Sequence, residues 1–276
     1  MSSMSPLEKI EIPSTANFVT RGKGKPVILI HGVAASLHDW DFLFPELEQA
    51  GYAGYALDLL GHGDSPKPDS RAYELTWLFD HFQGWLDSLR LNEPPVLIGH
   101  SLGGYLALEY ARRYPTRTRG LILVNPFFSR DQLPPLLRLT YRNSHVGGYL
   151  AHKTPEWLFR ILIDLSSVAM GHSGGGLHAF PEEVRAQTAL DYKRTAPGVY
   201  NVLNSNFDLT PSLSSISTPS LVLWGDRDLT LTPSSFEQLV KALPNARGES
   251  IRSGHVPHQA NADWFNARTL EFLKGL

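Results

Sequence analysis

The chain has 276 residues, 42% of them hydrophobic, with 25 basic and 27 acidic residues and a formal net charge of -2. That length suits one large domain or a domain carrying a substantial insertion, and the even charge leaves no electrostatic footprint for nucleic acid or an anionic membrane. The absence of cysteine excludes disulfides, thiolate metal sites and a cysteine nucleophile, and no apolar run approaches the ~18 residues of a membrane span.

The first residues, MSSMSPLEKIEIPS, hold no apolar stretch of signal-peptide length, so a cytoplasmic protein is the expectation. Ile10 and Ile12 alternate with polar residues, and Phe18 and Val19 follow after a break, the pattern of two short strands around a turn. Pro26-Val27-Ile28-Leu29-Ile30, closed by His31-Gly32, is a continuous apolar run of the kind buried on both faces of a parallel sheet. Trp40, Leu43, Phe44 and Leu47 recur at helical spacing over 39–50, and Gly51 ends the pattern. A strand follows over 52–59, then the turn at 61–66, an amphipathic helix over 73–91, a strand over 96–100, a helix over 102–114 and a strand over 121–124. This alternation predicts a mostly parallel sheet with helices on both faces.

After Asn125-Pro126 the rhythm stops. Residues 127–217 carry helical patches around 131–142, 155–169 and 181–195 but no strong strand signal. The middle patch is apolar almost all round and is expected to be covered on both sides. The GHSGGG stretch at 171–176 has the composition of a flexible joint. Strand–helix alternation resumes with a strand at 221–225, a helix at 233–243, a short strand at 249–251 and a final helix at 263–273. The expected fold is therefore α/β, with 1–126 and 218–276 as one discontinuous core domain and 127–217 as an inserted helical cap.

The strongest chemical signal is Gly99-His100-Ser101-Leu102-Gly103-Gly104, which follows an expected strand and opens an expected helix. A serine on so tight a strand–turn–helix needs small neighbours two positions away, and its hydroxyl stands at a helix N-terminus that favours a developing anion. A serine hydroxyl needs a base. His255, in Ser253-Gly254-His255-Val256-Pro257-His258, is the first choice and His258 the second. Trp224-Gly225-Asp226-Arg227-Asp228 ends another expected strand on the same sheet edge. Asp228 is favoured over Asp226 because a residue further into the loop can reach back across that edge. The other common place for the acid, the end of the strand before the insert, holds Asn125, which carries no charge. Backbone N–H groups of Val33 and Leu102 are the natural donors for an oxyanion.

His31-Gly32, DLLGHGDS at 58–65, GHSLGG, WGDRDLTLTP and SGHVPH together resemble the α/β-hydrolase superfamily, in its order, over most of 18–126 and 218–276. The resemblance implies a serine triad of Ser101, Asp228 and His255 and a mainly structural turn at 58–65. Epoxide hydrolases and haloalkane dehalogenases of the superfamily use an aspartate nucleophile, so Ser101 argues against both. Gln259-Ala260 stands where the family often has an acidic residue, which bears only on how the following helix is anchored.

The expected activity is cleavage of carboxylic esters with an apolar portion, in a pocket lined by Trp40, Phe127, Trp157 and Phe159. The competing use of the insert's aromatics, Phe128, Phe180 and Phe207 among them, is as the core of the insert itself. The same triad would serve a lactonase, an amidase, a perhydrolase, or a carbon–carbon bond hydrolase drawing on Arg138, Arg142 or Arg160 to hold an acidic substrate. A triad-retaining ligand receptor is the alternative from another class. His145, His152, His172 and His178 lack metal-ligand spacing, Gly22-Lys23-Gly24 precedes no helix, and no phosphate loop or His-Glu-x-x-His is present. The expectation is a small-molecule ester substrate, with no cofactor, no metal and no nucleic-acid or membrane partner; oligomeric state is left open.

Overall fold

Seven strands build one sheet: β1 (Phe18–Arg21), β2 (Lys25–Ile30), β3 (Tyr52–Leu57), β4 (Val96–His100), β5 (Gly120–Val124), β6 (Ser220–Gly225) and β7 (Ala246–Ile251). They lie in the order β1-β3-β2-β4-β5-β6-β7, every neighbouring pair parallel except β1 with β3. The computed structural model describes residues 15–69, 73–135, 138, 149, 152–170, 180–205 and 207–276. The expected strand at 10–12, the joint at 171–176 and half of the patch at 131–142 lie outside them.

The central strands β4, β5 and β6 are buried along their whole length, which is why they appear in the sequence as unbroken apolar runs. Their side chains divide by the period of two. Val27, Leu29, Ile98 and Ile122 enter the core on one face, with Phe44 of α1 (Phe44–Gln49) and Phe265 of the C-terminal helix (Ala262–Lys274). Ile28, Ile30, Leu97 and Leu121 enter the other, against α2 (Leu75–Ser88) and α3 (Leu102–Arg113).

The helical pattern over 39–50 is divided in the structure into a 3-10 turn, Leu37–Trp40, and α1. Ser36 starts the turn by accepting from His38 N, and Pro45 in the first turn of α1, having no N–H to give to a preceding carbonyl, suits a new start. The strand expected at 249–251 begins earlier, at Ala246. As an edge strand with exposed Arg247 and a half-buried pattern, it carries no apolar run to announce itself.

Between β5 and β6 lie α4 (Glu156–Met170), α5 (Glu182–Arg194) and 3-10 turns at Pro197–Asn204 and Thr210–Ser215. The segment returns where it departs: Leu209 N donates to Phe128 O at 2.9 Å, and Ser129 and Asp208 form an antiparallel bridge. Gln132 anchors the departure, its carbonyl accepting from Phe128 N and Ser129 N and its amide donating to Pro126 O and Ser235 Oγ. Contrary to expectation, the described part of α4 leaves one side open. Phe159 stacks on Tyr192 of α5, ring centroids 5.1 Å apart, whereas Trp157 is 62% exposed and Ile161, Leu162 and Leu165 are open as well. Among the described residues no helix is long and apolar enough to cross a membrane. The helices α6 (Ser234–Ala242), α7 (Pro257–Ala260) and α8 (Ala262–Lys274) complete the fold.

Candidate active site

Ser101 is the single residue between β4 and α3, and its backbone sits at φ 50°, ψ -112°, where non-glycine residues are rare. Four backbone bonds over-determine that conformation. Ser101 N donates to Val124 O at 3.0 Å, and Ser101 O accepts from Gly104 N, Tyr105 N and Phe127 N. The glycines beside it are obligatory: a Cβ on Gly99 would run into Gly103 O, and one on Gly103 into Ile30 O. Of the three other non-glycine residues with positive φ among those described, Ala34 and Asn125 occur just after β2 and β5, so strained backbone is concentrated at the carboxyl edge of the sheet.

Asp228 follows β6 and is buried, while Asp226 faces solvent. Oδ1 of Asp228 accepts from Thr230 N at 2.7 Å and Leu231 N at 3.1 Å. Oδ2 accepts from Asn125 Nδ2 and from His255 Nδ1, both at 2.7 Å. Burial alone would raise this carboxyl's pKa; the adjacent His255 and the donated hydrogen bonds outweigh it and hold the pKa below its ordinary value. With Nδ1–H committed to Asp228, Nε2 is the His255 nitrogen left for a reacting partner.

The turn after β2 completes the arrangement. A Cβ on Gly32 would lie 3.0 Å from His100 Nδ1 and 3.2 Å from Ser101 Cβ, a tight fit that a larger residue could make only by pushing these neighbours aside, and Val33 follows it. His31 fixes the turn by bonding Gly32 O through Nδ1 and accepting from Leu59 N through Nε2. Asp58 holds the 58–65 turn by accepting from Leu37 N, Asn17 Nδ2 and Asp64 N. Val33, Ser101 and His255 line one cavity of about 380 Å³, walled by Phe127 and Leu231 near the sheet and by Ile163, Phe180 and Val184 from the inserted segment. Leu102 is buried as the first residue of α3.

The alpha/beta hydrolase fold family model matches residues 25–259. The chain belongs to the α/β-hydrolase family. It is 34% identical over 142 residues to an abhydrolase domain-containing protein of Caenorhabditis elegans, across 50% of this chain and 31% of that one. The chain thus spans about a third of the first curated relatives it matches. Over nearly full length, 91% of this chain and 93% of the other, it is 27% identical to a pimeloyl-[acyl-carrier protein] methyl ester esterase of Neisseria meningitidis. A thermophilic esterase structure from Thermogutta terrifontis superposes with a TM-score of 0.78 at 24% identity, covering 94% of this chain and 93% of that one, a likeness of fold.

Around the cavity of this α/β hydrolase the expected aromatics separate. Phe127 lines it; Trp40, Trp157 and Phe159 do not. Trp40 is buried against His258 and Phe265, Trp157 faces outward, and Phe159 packs on α5. Arg138 bonds Asp131 and Leu133 O, and Arg160 pairs with Glu156 and Glu182, so neither faces the cavity; Arg142 lies outside the described residues. His152 is exposed, and His145, His172 and His178 lie outside the described residues.

A second layer was not evident from the sequence. Asp39, His100 and His258 are buried together beneath Ser101 and His255. Burial pushes the His100 imidazole down to about 4. Its Nε2 bonds the His255 carbonyl oxygen at 3.0 Å, and Gln259 Nε2 donates to Asp39 Oδ1 at 3.0 Å. The one visible signal was Gln259 itself, standing in the motif after His255 where the family often carries an acid.

Proposed function

We propose that this α/β hydrolase cleaves carboxylic esters with an apolar acyl or alcohol portion through an acyl-enzyme on Ser101. The observation that carries the reading is the 2.7 Å bond from His255 Nδ1 to a buried Asp228, with His255 and Ser101 sharing one largely apolar cavity. His255 Nε2 takes the Ser101 proton as Oγ bonds the ester carbonyl carbon. The negative charge that develops on the carbonyl oxygen is met by the amides of Val33 and Leu102 and the N-terminus of α3. As the carbon–oxygen bond to the leaving group breaks, His255 returns the proton to the departing alcohol. Water then gives a proton to His255, bonds the acyl carbon, and releases the acid while Ser101 recovers its proton.

The nearly full-length likeness to a methyl ester esterase supports an ester over other acyl derivatives. A lactone would follow the same path with its leaving alcohol still tethered. A carbon–carbon bond hydrolase with an acidic substrate has less support, since no arginine or lysine lines the cavity among the described residues. In this reading the enzyme acts in the cytoplasm on a dissolved small molecule, with no nucleic-acid or membrane partner.

Initial rates on short- and medium-chain p-nitrophenyl esters and on a lactone, wild type beside Ser101→Ala, test the reading. A fall of about a million-fold in the variant is expected of a triad acting as a unit. Equal rates in the two proteins would overturn it.

A further inference from the structure

Beneath Ser101, three buried side chains hold polar atoms that the fold itself does not use. Asp39 Oδ2, His100 Nδ1 and both ring nitrogens of His258 are buried without a hydrogen-bond partner among the described residues. The three side chains come from separate elements: the 3-10 turn after β2, the last residue of β4, and α7. Asp39 Oδ2 nevertheless lies 3.4 Å from His100 Nδ1 and 3.7 Å from His258 Nε2, and one ligand atom from each residue falls within 4.8 Å of the others.

The remaining bonds define what these atoms can be. The His255 carbonyl only accepts, so His100 carries its proton on Nε2 and presents Nδ1 as a lone pair. That lone pair and a carboxylate oxygen then face each other in a dry interior, where two acceptors repel unless a cation stands between them. Tetrahedral zinc, with bonds of ~2.0–2.1 Å, holds neighbouring ligand atoms roughly 3.3 Å apart. The two separations from Asp39 Oδ2 are close to that value. The outer bond from His100 Nε2 to a carbonyl is the support that metal-bound imidazoles use to fix tautomer and orientation. Gln259 gives the carboxylate its own outer donor. Asp39 and His100 also line the cavity, which supplies an entry path.

We propose that Asp39, His100 and His258 bind one divalent transition-metal ion, of which zinc is the representative. Two imidazoles and one carboxylate disfavour magnesium and calcium, which take oxygen ligands. The ion would tie the residue before Ser101 to the helix after His255, while the ester chemistry proceeds without passing through it.

The full-length protein, freed of metal by chelator, is titrated with zinc by calorimetry and with cobalt(II) by visible absorption, and melted with and without zinc. The expected result is one ion per chain, the visible bands of a four-coordinate cobalt centre, and a higher melting temperature with zinc. His258→Gln, which keeps a polar side chain of similar size, should weaken binding at least about 100-fold and abolish the cobalt bands, as should Asp39→Asn. Ser101→Ala should bind as wild type does, whatever its esterase activity, so the two proposals fail separately. A folded wild type that gives neither heat nor cobalt bands would overturn the site and leave a shared proton between Asp39 and the histidines. Binding that persists unchanged in His258→Gln would also overturn it, by assigning the ion to other residues.

Discussion

Asn125 Nδ2 donates to the same Asp228 oxygen that receives His255 Nδ1–H, each at 2.7 Å. Asn125 stands just after β5 at φ 40° and accepts from Gly225 N through Oδ1, so it clasps the ends of two neighbouring strands while feeding one hydrogen bond to the acid. Its amide can do what a carboxylate there could not, which is to donate. On the proposed chemistry, Asn125→Ala should lower kcat/KM by roughly 10- to 100-fold with the fold kept, since a buried charge loses one of its donors. Asn125→Asp should cost more than the alanine, because it sets two carboxylates together in a buried place. Steady-state rates with circular dichroism as the folding control would show it; an aspartate variant as active as wild type would count against the role of Asp228.

Gly103→Ala carries a prediction about stability. Its new Cβ would meet Ile30 O and lie 2.8 Å from His31 O, both of them backbone with little freedom to retreat. A loss of at least about 3 kcal/mol, or failure to fold, is expected in urea unfolding. A change under 1 kcal/mol would mean that the close approach of α3 to β2 relaxes easily.

The pH dependence of stability should depend visibly on Asp191. This carboxyl of α5 accepts from Ser36 Oγ at 2.9 Å and Gln187 Nε2 at 2.8 Å, yet burial outweighs both and pushes its pKa up to about 7. The folded chain therefore holds a proton that the unfolded chain loses near pH 4, and stability from this group falls as pH rises from about 4 to about 7. The limiting slope is about 1.4 kcal/mol per pH unit, and above the folded pKa it levels off. Asp191→Asn should remove that component and melt higher than wild type at pH 8, the two melting curves converging toward pH 4. Curves that stay parallel from pH 4 to 8 would refute the prediction.

Val184 of α5 lines the cavity opposite Phe127 and Leu231, on the side contributed by the insert. On the proposed chemistry, filling this position with tryptophan should shorten the acyl chains accepted. In Val184→Trp the ratio of medium- to short-chain kcat/KM is expected to fall by at least about tenfold, given that each buried methylene contributes about 0.8 kcal/mol. An equal loss on all esters would place the acyl chain elsewhere.

Most of the sheet was legible in the sequence because strands buried on both faces are written as unbroken apolar runs, and glycines or prolines mark where they stop. The edge strand β7 was only half visible, since exposed Arg247 and half-buried Glu249 interrupt its pattern. Ser101 stood out through the two glycines its strained backbone requires. Asp228 and His255, which the structure joins by a hydrogen bond, stood out through the strand ends they follow. The pocket aromatics were harder. Spacing says that a side chain is apolar, not which wall receives it, and so Trp40 went to the core, Phe159 to α5 and Trp157 to the outside. The cluster of Asp39, His100 and His258 left no local trace, since its members meet only where the 3-10 turn after β2, the end of β4 and the start of α7 come together. Gln132 was missed for the same reason: its partners Pro126 and Ser235 lie far apart in the chain, one just after β5 and the other in α6.

The pairing of Phe128 with Leu209 and of Ser129 with Asp208 means that the chain leaves the sheet and re-enters it through adjacent doorways. What lies between them and is not tied to the core, as Gln132 and Val199 are, can be lengthened, shortened or replaced without moving β5 relative to β6, so the carboxyl edge of the sheet and the wall above it are free to diverge at different rates. Grafting another segment in place of 133–195, with Gln132 kept, would then change which molecules enter while leaving the residues around Ser101 as they stand.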